Sequence, residues 1–279
     1  MKPLIVFLCH LLCCLVLTSC QLGVEQVAEE NLETIADSLL AEVEERPNQT
    51  TPSPQAAPDK SPAPAAPAAT FCKGLDISHF QGKEISDLSK EEDGFTFIFC
   101  KATEGLGYID PNFYFNWANI PQKGFIRGAY HFYHTADNPI RQAEHFTSVI
   151  ASMKETDLPP VVDFEGGGID KSQSVESIQE DLLSFLQEVE KRMNRRPMIY
   201  TDIPSGNKYL DRPEFGQYPL WVALYITGPQ PRLPKAWQGN PWLFWQRSSH
   251  YIVHGQNNDF DLYNGNLNSL QNFIKESNL

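Results

Sequence analysis

Residues 71–279 predict an α/β fold: a barrel in which βα repeats give way to bare strands in the C-terminal third. Three observations carry this. Eight short apolar runs of strand length recur along these 209 residues. Stretches with helical periodicity separate the early runs. The late connections, 226–241 and 247–258, are rich in Pro, Gly, Asn and Ser and carry no long apolar stripe.

Taken in order, the first strand is read at 74–78, where Leu75 and Ile77 flank Asp76. The run FTFIFCK gives a strand at 95–101, and a helix over 112–122 follows DPNFYF. A strand at 126–132 (IRGAYHF) leads to a helix over 138–152. The strand at 160–165 (PVVDFE) precedes a helix over 173–194, which lines up Val175, Ile178, Leu182, Phe185, Leu186 and Val189 on one face. Strands at 197–201, 219–225, 242–246 and 259–263 complete the set.

The chain ahead of this domain reads as a leader, an anchor point and a stalk. Residues 4–17 form a fourteen-residue apolar run behind Lys2, short of the roughly 20 residues that span a bilayer and laid out like an export signal. The run ends in Leu17-Thr18-Ser19-Cys20, which resembles the lipobox of bacterial lipoproteins. That resemblance implies a signal peptide over 1–19, acylation of Cys20 and membrane attachment through its lipid. It places the protein in a bacterial cell envelope. Gln21, where an inner-membrane retention signal has Asp, points to the outer membrane if the host is Gram-negative. An acidic segment, 20–45, follows with eight carboxylates and no Lys or Arg. Residues 46–70 hold seven prolines and seven alanines and cannot bury a core, so they predict an extended spacer. Residues 71–279 are then the globular domain.

Composition narrows the functions. The whole chain carries a net charge of −13, and residues 71–279 keep 26 acids against 19 bases. Such a surface lacks the basic footprint of a nucleic-acid binder. Outside the leader and Cys20, only Cys72 and Cys100 remain, and they are expected to stay unbridged. His131 with His134, and His250 with His254, have spacings a metal could use, but no third ligand accompanies them. Neither metal nor cofactor is expected.

The chemistry is concentrated in acids at strand ends. Asp76 lies in GLDISHFQG, Asp163 and Glu165 in PPVVDFEGG, and Asp259 and Asp261 in NNDFDLYNG. Residues two apart on a strand share a face, so Asp163 and Glu165 project together. Active sites of such barrels lie at the carboxyl ends of the strands. Acids converging there suit a glycosidase, which needs one protonated carboxyl for the leaving oxygen and another that stays ionised.

With these segments in view, the domain resembles the family 25 glycoside hydrolases, lysozymes that act as N-acetylmuramidases. The matching stretches are GLDISHFQG, FIFCKATEG, YIDPNF, GAYHFYH, LPPVVDFEGG, RPMIYT, YPLWVALY and FWQRS, in family order. The resemblance implies a modified TIM-type barrel with five βα units followed by three strands lacking long helices. It also implies retaining hydrolysis of the β-1,4 bond between N-acetylmuramic acid and N-acetylglucosamine in peptidoglycan, with no cofactor. Glu165 matches the proton donor, Asp163 the acid that assists at the anomeric side, and Asp76 the first-strand aspartate. The D-x-E spacing is similar to that of substrate-assisted chitinases, which favours participation by the substrate's acetamido group. Aligned without a gap, Asp259 takes the place of the family's last aspartate and Asp261 that of an Asn. Asp259, Asp261, Tyr130, Trp221, Tyr225 and Glu104 are expected to bind substrate, with fixing Lys101 the alternative for Glu104, while Trp245 fits the cleft and the core equally well. A monomer working on glycan strands is expected. Competing readings are a non-catalytic glycan-binding lipoprotein and a hydrolase of chitin-like N-acetylated glycans.

Overall fold

The computed structural model describes residues 71–279; the expected leader, Cys20, acidic segment and spacer lie outside the described residues. Nine strands are formed: β1 (Cys72–Ile77), β2 (Phe97–Glu104), β3 (Tyr108–Ile109), β4 (Ile126–Phe132), β5 (Val161–Asp163), β6 (Met198–Asp202), β7 (Leu220–Ala223), β8 (Phe244–Val253) and β9 (Gln256–Tyr263). The helices are α1 (Lys90–Asp93), α2 (Phe113–Gln122), α3 (Pro139–Val149), α4 (Val175–Met193), α5 (Ile203–Tyr209) and α6 (Leu267–Glu276). Adjacent strands run β1-β9-β8-β7-β6-β5-β4-β2, and β1 pairs again with β2, closing an eight-stranded barrel. The parallel ladder is broken only at β9, which is antiparallel to both β1 and β8; β3 hangs on β2 as a short edge. The sequence-predicted barrel is therefore the observed one.

Strand alternation splits the apolar residues into two cores. Phe97, Phe99, Val161, Met198, Trp221 and Phe244 fill the interior. Leu75, Ile98, Val162, Ile199 and Val222 point outward into the second cluster, which also holds Ile178, Leu182, Phe185 and Val189 of α4. Cys72 belongs to the inner cluster and Cys100 to the outer, and both thiols are free. Their opposite faces rule out a bridge.

The helices start where side chains supply the missing acceptors. Asn138 caps α3, Ser174 caps α4, Asp202 caps α5 and Asn266 caps α6, each taking a backbone N–H of the first turn.

Two late segments differ from the sequence expectation. Residues 247–258 form a hairpin instead of an irregular loop, because His254 and Gly255 both take positive φ and close a two-residue turn. The C-terminal helix α6 was not anticipated. Its Leu270, Phe273 and Ile274 pack onto the inner core beside Phe244 and Tyr263, stoppering the barrel.

Glycine sets the bore of the interior. A Cβ at Gly128 would run into the Phe99 ring and the Leu158 side chain, both fully buried. Gly128→Ala should therefore cost about 1–3 kcal/mol of stability through overpacking, measured by urea unfolding; an unchanged midpoint would contradict this packing.

Candidate active site

The inward positions nearest the carboxyl ends of the strands are polar, whereas most of those below them are apolar. Asp76 on β1, Lys101 on β2, Tyr130 on β4, Asp163 on β5, Tyr200 on β6, Gln246 on β8 and Asp259 on β9 line one cleft of about 270 Å³. Glu165 joins them just past β5. Phe164 between the two acids turns outward into the helix-side core, so the strand's alternation continues through Glu165 and brings both carboxyls to the cleft.

Hydrogen bonds fix part of this ring. Gln246 Nε2 donates to Asp76 Oδ2 at 2.7 Å, and Gln246 Oε1 accepts from Tyr200 (2.8 Å) and Tyr225 (2.6 Å). Lys101 Nζ lies 2.7 Å from Glu104 Oε2, and Glu104 Oε1 meets His134 Nε2 at 2.9 Å. Asp163 is 8% exposed, and its Oδ1 has no hydrogen-bond donor among the described residues.

The sequence profile of glycosyl hydrolases family 25 matches residues 75–256. The chain belongs to that family. It is thus a glycoside hydrolase. It is 33% identical over 223 residues to the uncharacterized protein YegX of Escherichia coli K12, covering 78% of each chain. It is 32% identical over 197 residues to lysozyme M1 of Streptomyces globisporus, covering 68% of this chain and 66% of that one. The crystal structure of a bacterial lysozyme from Streptomyces coelicolor superposes with a TM-score of 0.67 at 29% identity, covering 75% of this chain and 100% of that one.

Electrostatics in this family 25 site are governed by crowding. Burial pushes Asp163 well above the usual carboxylate range and Glu165 adds to it, while Lys101 pulls it down. Burial likewise raises Glu165, helped by Asp202 and opposed by Lys101. Asp76 is raised by burial and then by Asp259. Asp259 itself is pushed up to about 6 by burial, with His250 acting against the shift.

The expected substrate contacts divide into two groups. Tyr130, Tyr225 and Asp259 reach the cleft, and Tyr225 is 54% exposed at its rim. Asp261 does not reach it. It is fully buried one inward position below Asp259, because β9 pairs Asp259 with Asp76 but Asp261 with Gly74. Trp221 lines the cleft from below: it is 2% exposed, stacked on Phe99, its Nε1 donating to Asp261 Oδ1 at 2.8 Å. Glu104 stands behind the cleft as partner of Lys101. Trp245 faces outward, donating to the Leu224 carbonyl.

Lys101, Gln246 and Tyr200 were not singled out from the sequence. The alternation Phe97, Phe99, Lys101 was the available signal, since it aims the lysine inward. The histidine spacings have structural explanations. His131 is buried between Thr103 and Gln142 and held down to about 3 by burial, and no metal-binding cluster occurs among the described residues.

Raised carboxyls make stability depend on pH in the reverse of the common sense. The folded state binds the Asp259 proton more tightly than an unfolded chain, whose aspartates titrate near 3.9. Its contribution is complete below that value and lost as pH climbs through about 6. Asp259→Asn should therefore flatten the fall in thermal stability between about pH 4 and pH 6. An identical slope in both proteins would contradict the assigned environment.

Proposed function

We propose that this hydrolase is a muramidase that cleaves the β-1,4 bond between N-acetylmuramic acid and N-acetylglucosamine in peptidoglycan with retained configuration. One observation carries the reading: Asp163 and Glu165 share the cleft face, the first sealed and lacking a donor, the second more open and raised above its ordinary value. A buried carboxylate oxygen without a partner suits an acetamido N–H. A carboxyl raised above its ordinary value suits a general acid.

In this mechanism Glu165 protonates the glycosidic oxygen as the C1–O bond breaks. The acetamido carbonyl oxygen of the same sugar attacks C1, and Asp163 accepts the hydrogen bond of its N–H. Water then attacks C1, gives its proton to the Glu165 carboxylate and reopens the oxazolinium ring. Atoms balance as net hydrolysis, and two inversions give retention. Asp76 adds negative potential beneath the cationic sugar. Lys101 offsets the surplus of carboxylates, and Tyr130 and Tyr225 flank the sugar.

We further propose that acylated Cys20 holds the enzyme in the bacterial cell envelope, on the outer membrane if the host is Gram-negative. The spacer over 46–70 would reach about 80 Å if fully extended. Palmitate labelling of the full chain, lost in Cys20→Ala, checks the anchor.

Glu165→Gln should lower kcat by about 10²–10⁴-fold with folding intact, and wild-type digestion of peptidoglycan should release fragments ending in reducing N-acetylmuramic acid. Fragments ending in reducing N-acetylglucosamine would overturn the bond assignment, and undiminished turnover by Glu165→Gln would overturn the donor. Full activity on chitin oligosaccharides would favour the chitin-like alternative. Lys101→Met removes the cation that lowers both Asp163 and Glu165, so both limbs of the pH–activity profile should move to higher pH. Limbs that stay in place would rule out that role for the lysine.

A further inference from the structure

Below the catalytic ring, one carboxylate is buried where no protein donor serves half of it. Asp261 is 0% exposed. Its Oδ1 accepts from Trp221 Nε1 at 2.8 Å, and its Oδ2 has no N–H or hydroxyl donor among the described residues. The Asp261 carboxyl lies within hydrogen-bonding reach of the side chain of Asp76 on the neighbouring strand. Asp76 already takes Gln246 Nε2 on its own Oδ2. Two buried carboxyls in contact cannot both be ionised, since repulsion and desolvation act in the same direction. A proton between them removes the repulsion and supplies the missing donor.

We propose that Asp261 is a positioning residue that remains a neutral carboxylic acid and donates its proton to Asp76, holding that catalytic-ring carboxylate between two donors. The direction of donation follows from depth. Asp261 is sealed among Trp221, Gly74 and Gln246, whereas Asp76 opens on the cleft, where an anion is better solvated. Burial and then Asp76 raise Asp261 most, and the hydrogen bond between them raises Asp261 while lowering Asp76. The other ionisable groups facing the pair are Asp259 on β9, Asp163 and Glu165 from β5, Tyr130 on β4, Tyr200 on β6, Tyr225 after β7 and Lys101 on β2. Only Lys101 among these is cationic, and it is engaged by Glu104. The pair therefore settles its charge internally.

This deepens the muramidase reading, and only its kinetic test rests on that reading. Asp261→Asn keeps an oxygen for Trp221 and an N–H for Asp76 while removing no charge. Both limbs of its pH–activity profile should coincide with wild type to within about 0.3 unit. If Asp261 were ionised, the same substitution would delete a buried negative charge and move both limbs to lower pH, overturning the proposal. Asp261→Leu removes the donor; its kcat should fall by about tenfold or more, with KM little changed and the acid limb moved to higher pH. Turnover restored in the Asn variant and lost in Leu supports donation; equal loss in both overturns it.

A second measurement is independent of turnover and of whether the Leu variant folds. In the full chain labelled with ¹³C at aspartate side-chain carboxyls, the resonance missing from Asp261→Asn identifies Asp261. At neutral pH it should report a protonated carboxyl. An ionised shift there overturns the proposal even if the enzyme cleaves peptidoglycan as expected. Absence of muramic acid reducing ends with a protonated resonance overturns the substrate reading and leaves Asp261 as assigned.

Discussion

Repulsion among carboxyl groups at one end of a closed barrel is the constraint on which the site depends. Asp76, Asp163, Glu165, Asp259 and Asp261 are all raised by burial, and Lys101 is the one ammonium in the cleft lining. The barrel cannot relax by letting them separate, because each is mounted on a strand hydrogen-bonded on both sides or, for Glu165, on the residue just past one. The free energy is instead lowered by holding protons. A site that raises the proton affinity of its carboxyls is also one that can deliver a proton, so the electrostatic cost and the chemistry have the same origin.

Rigidity below the ring makes that crowding tolerable. Phe97, Phe99, Trp221 and Phe244 interlock through edge and stacked contacts, with Phe99 and Trp221 4.4 Å apart. Gly74 and Gly128 leave room for the Phe97 and Phe99 rings. Trp221 links this packing to the acids through its bond to Asp261. Lys101 is braced in turn: its ammonium sits 4.8 Å from the Phe132 ring centre and is held by Glu104, which His134 secures from outside. The cation is thus fixed by a partner that lies behind the cleft, leaving its field directed at Asp163 and Glu165.

Much of the barrel was legible because period is a local property. The stripe on α4 and the alternation in β2 and β4 are set by neighbours in sequence, and so was the shared face of Asp163 and Glu165. Depth is not local. Asp259 and Asp261 have the same parity on β9, as do Trp221 and Tyr225 around β7, and nothing in spacing says which member opens on solvent. Register with β1 decides the first pair, and the early end of β7 decides the second. Glu104 looked like a site residue for the same reason. Glu104 lies past the irregularity between Lys101 and Thr103, in register with Phe132, and its carboxylate is taken up by Lys101 and His134. Helix α6 and the β8–β9 hairpin were missed because polar surface residues diluted their apolar positions.

Closing the barrel with an antiparallel strand has a chemical consequence. A parallel last strand would present its carboxyl end to the cleft, placing acids beyond the ladder, as β5 does with Glu165. Because β9 runs the other way, its early residues lie at the mouth and its later ones descend into the core. An acid at each of two successive inward positions is then one cleft residue and one buried residue. Asp259 faces substrate space, while Asp261 meets the underside of Asp76. The direction of a single strand thereby turns a repeated D-x-D into two different functions, and it does so with no change in the side chains themselves.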